Sequence, residues 1–444
     1  MVGCQRYFQK IQIIHTAKLY PFLPGFPKDF DNFIYYNQIA IQWLVEKNSS
    51  NWVWCLHGKI TASTGCIINI CVMDPGEIST PGFIVREQNQ AISVIPSNEK
   101  NYNLIMSRLV LVTGSTGFIG SHLCRKLVAD GFTVRAFHRP SSPLRLLEDV
   151  PVEHVTGDLT RPETISAAVK GVDAVFHCAA LVGARMETGR LYTVIVEGTR
   201  YLLRAALDAG VQRLVYTSSM AAIGIPERFS TRNHQPAMLD ENHTWNYRAE
   251  SWPYAYAKYL AEQEIQQAVA PGLDAVIVNP TYVYGPGDVY RQRRSMITQV
   301  ARSQVPFIFD GGLNVVHVQD VIAGHMAAME RGVCGERYIL GGENLTISQL
   351  VEKIAAVAGV ESPKLHLPVN LVRLLSGPIN RFGSYLNIPA SSFPLQFAGC
   401  YFYFNIRKAQ TRLGLAEPIP ADQAVQDSYD WYVKIGALTP QKTG

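Results

Sequence analysis

The sequence predicts an α/β fold: a doubly wound parallel sheet with a smaller C-terminal part, preceded by an irregular N-terminal extension. Three observations predict it. From Leu109 onward, short continuous apolar runs alternate with longer segments of helical period. A glycine-rich turn joins the first apolar run to a helix, and residues 1–105 sustain neither period. Continuous apolar strands indicate burial on both faces, which a parallel sheet covered by helices provides.

The composition sets limits on what the protein does. The 444 residues, 47% hydrophobic and 17% charged, are too apolar for a disordered chain. A net charge of +4 is a weak signal for nucleic acid or any other polyanion. The eight cysteines form no metal-ligand spacing, so no metal site is expected. No apolar run reaches the roughly 18 residues of a membrane span, and no leader pattern opens the chain, so a cytoplasmic location is expected.

The strands and helices are predicted from these periods in chain order. The strands are 109–112, 133–137, 152–155, 174–178, 214–217 and 275–278. The helices are 117–129, 163–169, 191–209, 255–269 and 347–358. Gly210 follows the third helix as a C-terminal cap, and Thr346 and Gln349 have capping-box spacing before the last.

Three parts are predicted along the chain. Residues 1–105 form an extension that carries no motif, and they are either an accessory segment or the product of a mis-assigned start codon upstream of Met106. Residues 106–285 form a dinucleotide-binding domain, to which 313–331 return. Residues 286–444 mainly form the substrate-binding part.

A phosphate-binding turn is predicted where the first strand ends. Gly114, Gly117 and Gly120 have the spacing G-x-x-G-x-x-G between a strand and a helix. Gly114 permits the tight turn, Gly117 lets the backbone approach a pyrophosphate, and Gly120 lets the helix pack on the sheet. The helix N-terminus then offers free N–H donors to the phosphates. The other residues of the turn that we expect to contact the cofactor are Ser115, Thr116, Phe118 and Ile119.

The end of the second strand indicates which dinucleotide binds. No acidic residue is present to hold the ribose hydroxyls of NAD. Arg139, with Ser141 or Ser142, would instead receive the 2′-phosphate of NADP. NADP(H) is therefore favoured and NAD(H) stays open; the alternative interpretation of Arg139 is an ordinary surface arginine.

Two later strand ends add cofactor contacts. Asp158, followed by Leu159, would accept a hydrogen bond from the adenine amino group. Ala179 and Ala180 are small enough for the backbone to lie against the cofactor. His177 and Cys178 before them are interpreted as buried core residues.

A catalytic group is predicted from Tyr254 and Lys258. Their i, i+4 spacing puts them on one helix face, where the ammonium lowers the pKa of the phenol. Ser219 ends the fifth strand, at the sheet edge that faces the ligand crevice in such folds. Tyr256 would face elsewhere on the helix. The alternative is a surface Tyr/Lys pair and a loop serine.

These motifs resemble the extended short-chain dehydrogenase/reductase superfamily, which has a Rossmann fold. The chain is most similar to its NAD-dependent epimerase/dehydratase group, near hopanoid-associated sugar epimerases and dihydroflavonol-4-reductase-like proteins. The matching segments are TGSTGFIG (113–120), GDL (157–159), HCAA (177–180), VEGT (196–199), YTSS (216–219), YAYAK (254–258), NPTYVYGP (279–286) and VHVQDV (316–321).

The resemblance implies roles for several residues. Ser219, Tyr254 and Lys258 would form the family's catalytic triad, and Pro280 would line the nicotinamide side. The family usually has Asn, which helps to position the lysine's water or the helix, where this chain has Ile195. The resemblance also implies a homodimer. A nucleotide diphosphate would have candidate partners in Arg293, Arg294, Arg381 and Arg407, but nothing in the sequence fixes this.

The expected function is hydride transfer between NAD(P) and a secondary alcohol or ketone of a small-molecule substrate. A reductase releases its cofactor at each cycle, whereas an epimerase or dehydratase retains it, and the sequence leaves both open. The alternative is a non-enzymatic NAD(P)-sensing protein on the same fold.

Overall fold

A computed structural model of the chain describes residues 108–181, 187–226, 236–289, 292, 295–382 and 395–439, together with five strands before residue 108. The chain divides into two compact units, Met1–Met106 and Ser107–Gly444. The expected arginine sites 293 and 294, and the side chain at 381, lie outside the described residues.

The N-terminal unit contains two small antiparallel sheets. The first pairs β1 (Ala40–Asn48) with β2 (Asn51–Lys59). The second has the order β3 (Asn69–Cys71), β4 (Gly82–Arg86) and β5 (Ser93–Pro96).

The second unit is built on a seven-stranded sheet in which every pair of neighbours is parallel. Its strands in chain order are β6 (Leu109–Thr113), β7 (Thr133–His138), β8 (Glu153–Thr156), β9 (Ala174–His177), β10 (Arg213–Thr217), β11 (Ala275–Pro280) and β14 (Arg337–Leu340). In space the order is β14-β11-β10-β9-β6-β7-β8, the Rossmann arrangement. The predicted fold class is therefore confirmed, and all six predicted strands are present with ends within two residues.

Helices cover both faces of this sheet and bury its two apolar surfaces. One face carries α1 (Phe118–Ala129), α7 (Val318–Arg331) and α10 (Arg407–Leu413). The other carries α2 (Pro162–Ala168), α4 (Gly198–Asp208) and α5 (Pro253–Val269). Successive strand residues enter opposite cores, which is why these strands read as continuous apolar runs.

The predicted helix 191–209 is not one continuous α-helix, and that expectation was wrong. The segment begins with α3 (Thr188–Tyr192), passes through a π-helical turn at Thr193–Glu197 and continues as α4. At the junction the hydroxyl of Thr199 donates to the carbonyl of Ile195 at 2.6 Å. Such side-chain bonds to the helix backbone compete with the regular α pattern. Gly210 ends the helix with φ of +69°, as predicted.

A second sheet and four helices form the C-terminal part. The sheet joins β12 (Tyr282–Tyr284), β13 (Gly312–His317), β15 (Glu343–Thr346) and β16 (Tyr401–Phe402). The helices are α6 (Met296–Ala301), α8 (Ile347–Ala358), α9 (Val369–Phe382) and α11 (Ala421–Lys434). The capping box of Thr346 and Gln349 is present at the start of α8. Phe397, Phe402 and Phe404 are core residues at 2% exposure or less.

The sheet topology bears on the expected domain ranges. Strand β14 of the Rossmann sheet lies outside the ranges 106–285 and 313–331, while β13 lies in the second sheet. The domain ranges themselves stay a prediction.

Among the described residues, none of the helices combines the length and apolarity needed to cross a bilayer.

The close packing of α1 against the turn before it gives a stability prediction. A Cβ at Gly120 would overlap the carbonyl of Gly114, a backbone atom that cannot move aside. We expect Gly120→Ala to lower the free energy of unfolding by about 2 kcal/mol or more, measured by urea denaturation. Gly189→Ala is the control because a Cβ there meets only a side-chain oxygen of Glu187 at 3.9 Å. Equal stability of the two variants would contradict the prediction.

Candidate active site

The predicted phosphate turn lies at the point where the strand order reverses, between β6 and β9. Gly114 has φ of +66°, and the N–H of Gly117 donates to its carbonyl at 2.9 Å, which closes the turn. A Cβ at Gly114 would lie 2.7 Å from the backbone N and Cα of Ala179, so the end of β9 lies against the turn. Ligands of doubly wound sheets bind in this crevice.

The start of α1 has the features of an anion site. Gly117 caps the helix in an extended conformation, and no acidic residue lies in the first turn. The hydroxyl of Ser115 donates to the carbonyl of Phe137 at 3.2 Å, which ties the turn to the end of β7. Ser115 and Thr116 are buried, while Phe118 and Ile119 are half-buried. The first N–H groups of a helix have no partner within the helix, and the glycines carry no side chains that would block an approach. A pyrophosphate therefore fits against this turn.

The residues expected around the adenosine lie at the ends of β7 and β8. Arg139 is exposed directly after β7. Asp158 holds its own loop, since its Oδ1 accepts from the N–H of Thr160 at 2.9 Å and from the hydroxyl at 2.8 Å. The side chain of Leu159 is buried in the core beneath α4, so only its backbone faces a ligand crevice there.

One pair beside Arg139 has no counterpart in the sequence prediction. His138, the last residue of β7, is buried, and its Nε2 lies 3.2 Å from Nδ1 of His154 on β8. The two imidazoles occupy the strand end where an acidic residue would hold the ribose of NAD.

Ser219 follows β10 and begins a short 3-10 helix at Met220–Ile223. Its hydroxyl oxygen accepts from the N–H of Ala221 at 3.2 Å, and its carbonyl accepts from Nδ2 of Asn279 at 3.0 Å. The residue is half-buried. Its backbone is thus held from the neighbouring strand β11.

Lys258 projects from α5 into the interior at the end of β10. Its side chain is only 2% exposed. The ammonium donates to the carbonyl of Thr217 at 2.7 Å and to the hydroxyl of Tyr216 at 3.2 Å, and it lies 4.7 Å from the centroid of the Tyr216 ring. Burial lowers the pKa of Lys258 to about 8, against the opposing effects of Cys178 and Glu262.

Tyr254 lies in the first turn of α5, half-buried and one helical turn before Lys258. Burial raises the pKa of Tyr216 well above its usual value, and the charges of Glu262 and Tyr254 raise it further. Tyr254 therefore lies within electrostatic reach of the phenol that binds Lys258. Tyr256 is directed elsewhere: its ring packs against those of Tyr192 and Trp245, at centroid distances of 6.3 and 5.6 Å.

A buried polar network around Glu262 was not predicted. One carboxylate oxygen accepts from the hydroxyl of Ser218 at 2.5 Å and from Nδ2 of Asn279 at 2.7 Å. The other oxygen pairs with Arg337 at 3.2 Å. Glu262 follows Lys258 by one helical turn, so an acidic residue on the buried face of α5 was the available signal.

The two residues interpreted as buried core, His177 and Cys178, differ in exposure, and only His177 lies fully in the interior. His177 is fully buried, and burial and the charge of Lys258 lower its pKa to about 3. Cys178 is half-buried and accepts a hydrogen bond from Thr217 at 3.2 Å, and burial raises its pKa to about 11. Ile195 packs in the apolar core beneath α4 at 1% exposure.

The remaining expected contacts lie as follows. Pro280 is buried at the end of β11, and Ala180 is half-buried after β9. Arg407 is exposed at the first residue of α10.

Comparison with known proteins identifies the family. Residues 110–341 match the NAD dependent epimerase/dehydratase family, and this match spans more than half of the chain. The chain belongs to this family. The family is described as NAD-dependent epimerases and dehydratases, and similar proteins are named as reductases, so the chain is an enzyme of the NAD(P)-dependent oxidoreductase and epimerase class.

Three similar proteins illustrate the range. A relative from Synechocystis sp. (strain ATCC 27184 / PCC 6803 / Kazusa), named "Putative dihydroflavonol 4-reductase", is 33% identical, over 77% of this chain and 100% of its own. Sterol demethylase protein B of Methylococcus capsulatus (strain ATCC 33009 / NCIMB 11132 / Bath) is 35% identical, over 61% of this chain and 82% of its own. The crystal structure of gox2253 matches with a TM-score of 0.64 and 34% identity, over 74% of this chain and 99% of that one.

The Glu262 network gives a second stability prediction. Glu262→Gln keeps an oxygen for Ser218 and Asn279 but leaves Arg337 without its carboxylate. We expect a loss of about 2 kcal/mol in the free energy of unfolding, because removing one partner of a buried ion pair leaves the other uncompensated.

Glu264→Gln is the matched control, on the same helix. Glu264 pairs with Arg200 at 2.7 Å, and the Arg200 side chain is 56% exposed, so we expect a loss below about 1 kcal/mol. Urea denaturation measures both variants, and a loss at Glu264 equal to that at Glu262 would contradict the interpretation.

Proposed function

We propose that this protein is an NADP(H)-favouring reductase that transfers hydride at a secondary alcohol or ketone carbon, with Ser219, Tyr254 and Lys258 as its catalytic residues. The observation that carries the proposal is the burial of Lys258 at the end of β10. Its ammonium is held by Tyr216 and Thr217, three and two residues before Ser219. A buried, hydrogen-bonded ammonium beside a phenol is an arrangement that serves proton transfer.

The three side chains have distinct roles in this proposal. Tyr254 exchanges the proton with the substrate oxygen. The charge of Lys258 lowers the pKa of the Tyr254 phenol, and Lys258 also binds the nicotinamide ribose. The hydroxyl of Ser219 orients the substrate oxygen. The cofactor, when bound, supplies or accepts the hydride at its nicotinamide ring.

The cofactor preference rests on the residues after β7. Arg139 is exposed where the adenosine 2′-phosphate of NADP would lie, and β7 ends in His138 rather than an acidic residue. A guanidinium matches phosphate oxygens in geometry and charge. NAD(H) is the alternative cofactor, and near-full occupancy by NAD that survives dialysis would favour it.

The substrate class is inferred from the relatives. Two relatives are named for dihydroflavonol and for sterol chemistry, and both names denote molecules with fused rings, so we propose a ketone or secondary alcohol on a ring-bearing molecule. The second candidate function is a sugar-nucleotide epimerase or dehydratase, favoured by the family match. A protein that only senses NAD(P) is the third candidate, and it would bind cofactor without turnover.

Two further proposals concern the location and the oligomeric state of the protein. We propose that it is cytoplasmic, because its eight cysteines in 444 residues are ordinary usage for a protein of a reducing compartment. We also propose a homodimer formed through the helices α4 and α5, whose outer residues include the Arg200–Glu264 pair.

The catalytic assignment predicts a loss of turnover in Tyr254→Phe. Removing the hydroxyl removes the proton donor, so we expect turnover to fall by a factor of about 10² to 10⁴ with cofactor affinity largely kept. NADPH oxidation with a panel of aromatic and steroid ketones is the measurement, with NADPH fluorescence for binding. Tyr256→Phe, two residues along the same helix, is the control and should keep its activity. Full activity in Tyr254→Phe would refute the role.

The cofactor assignment predicts a change of preference in Arg139→Ala. Losing the guanidinium should weaken NADPH binding roughly tenfold to a hundredfold, while NADH binding changes little. Arg145→Ala is the control, because Arg145 is also an exposed arginine in the segment between β7 and β8. Fluorescence titration with both cofactors decides it: equal weakening of NADPH and NADH by Arg139→Ala would count against 2′-phosphate recognition.

A further inference from the structure

Buried polar contacts connect the phosphate turn to Lys258 across three strands and a helix. The hydroxyl of Thr113, the last residue of β6, lies 2.7 Å from Nδ1 of His177. Nε2 of His177 lies 2.9 Å from the hydroxyl of Thr199 on α4. The imidazole of His177 packs against the ring of Tyr216 at a centroid distance of 5.4 Å, and the phenol of Tyr216 accepts from Lys258. We call the four residues Thr113, His177, Thr199 and Tyr216 the buried chain.

Every member of the buried chain is sealed from solvent. The exposure of each of the four side chains is 1% or less. Their hydrogen bonds are consistent with one set of proton positions. Thr199 donates to the carbonyl of Ile195 at 2.6 Å, so its oxygen accepts from His177. His177 then carries its proton on Nε2 and accepts from Thr113 on Nδ1, as a neutral imidazole must.

We propose that Tyr216 is a positioning residue for Lys258, and that the imidazole of His177, packed against its ring, holds the phenol where its hydroxyl accepts from the ammonium. The inference rests on the proposed role of Lys258. It deepens that role by naming what holds the lysine where Ile195 offers no polar side chain.

The geometry supports Tyr216 as more than a packing residue. The phenol faces Lys258 with its oxygen at 3.2 Å and its ring centroid at 4.7 Å, so both the hydroxyl and the π-face stabilise the charged ammonium. The remaining contact, the carbonyl of Thr217, is backbone and cannot be varied by side-chain substitution.

The other ionisable groups near Lys258 are few among the described residues. From the β9 side these are His177 and Cys178, and on α5 itself they are Tyr254 and Glu262. The lowered pKa of His177 keeps its imidazole neutral while Lys258 titrates. The raised pKa values of Cys178 and Tyr216 keep both groups protonated over the same range. The buried chain therefore holds the ammonium without changing charge itself, so its effect can be read from the titration of Lys258.

Tyr216→Phe tests the proposal in the full chain, with Tyr338→Phe as a matched control. Tyr338 is also a buried tyrosine of the same sheet, with Lys408 4.9 Å from its ring centroid and its hydroxyl accepting from the N–H of Val333 at 3.0 Å. Both substitutions remove one buried hydroxyl and keep the ring. Only Tyr216→Phe removes a bond to Lys258.

The measurement is the titration of Lys258 by NMR of protein labelled with 13Cε-lysine, with the signal assigned by its loss in Lys258→Arg. The hydroxyl of Tyr216 favours the charged form, so its removal should lower the titration midpoint, by about one pH unit in Tyr216→Phe. In Tyr338→Phe the midpoint should stay at the wild-type value. An unchanged midpoint in Tyr216→Phe, or an equal change in both variants, would overturn the proposal.

Tyr216→Leu provides a second route, and it decides the question if Tyr216→Phe does not fold. It removes the hydroxyl and the ring face that contact the ammonium together. A lowered midpoint supports the proposal, and an unchanged midpoint overturns it. These titrations need no substrate, so a failure of ketone reduction in the wild type would count against the proposed function alone.

Discussion

The arrangement of the second unit depends on one costly event, the burial of the charge of Lys258. An ammonium taken out of water is unstable unless polar groups replace its hydration. Here the carbonyl of Thr217 and the hydroxyl of Tyr216 do so, and both belong to the last residues of β10. The position of the lysine therefore fixes α5 against this strand end.

The parallel sheet makes that burial feasible. Strands that run in one direction end at one edge, so the phosphate turn after β6, the small residues after β9 and the serines after β10 all lie at that edge. The approach of Gly114 to Ala179 leaves no space for a side chain at the glycine, so the turn is packed directly against the end of β9.

Two buried polar systems surround the lysine and have different physical characters. The buried chain from Thr113 to Tyr216 is neutral and joins the first strand to the lysine. The network of Glu262 is charged, and Arg337 extends it by donating to the carbonyls of Glu241 and His243. That second system joins α5 to the segment that precedes it, so the surroundings of Tyr254 are held from both sides. Buried polar groups of this kind favour a single arrangement because few alternatives satisfy every donor and acceptor.

The sequence by itself determined the elements and most of the residues that carry the chemistry. The apolar runs located six of the seven strands, and the glycine spacing located the turn, because both depend on local patterns. The predicted triad needed only the i, i+4 spacing of Tyr254 and Lys258 and a strand end at Ser219. Only the tertiary structure revealed the π-helical turn at Thr193–Glu197 and the partners of Lys258. Those partners come from strands and helices far apart in the chain, and a hydrogen bond between distant residues leaves no periodic pattern in the sequence.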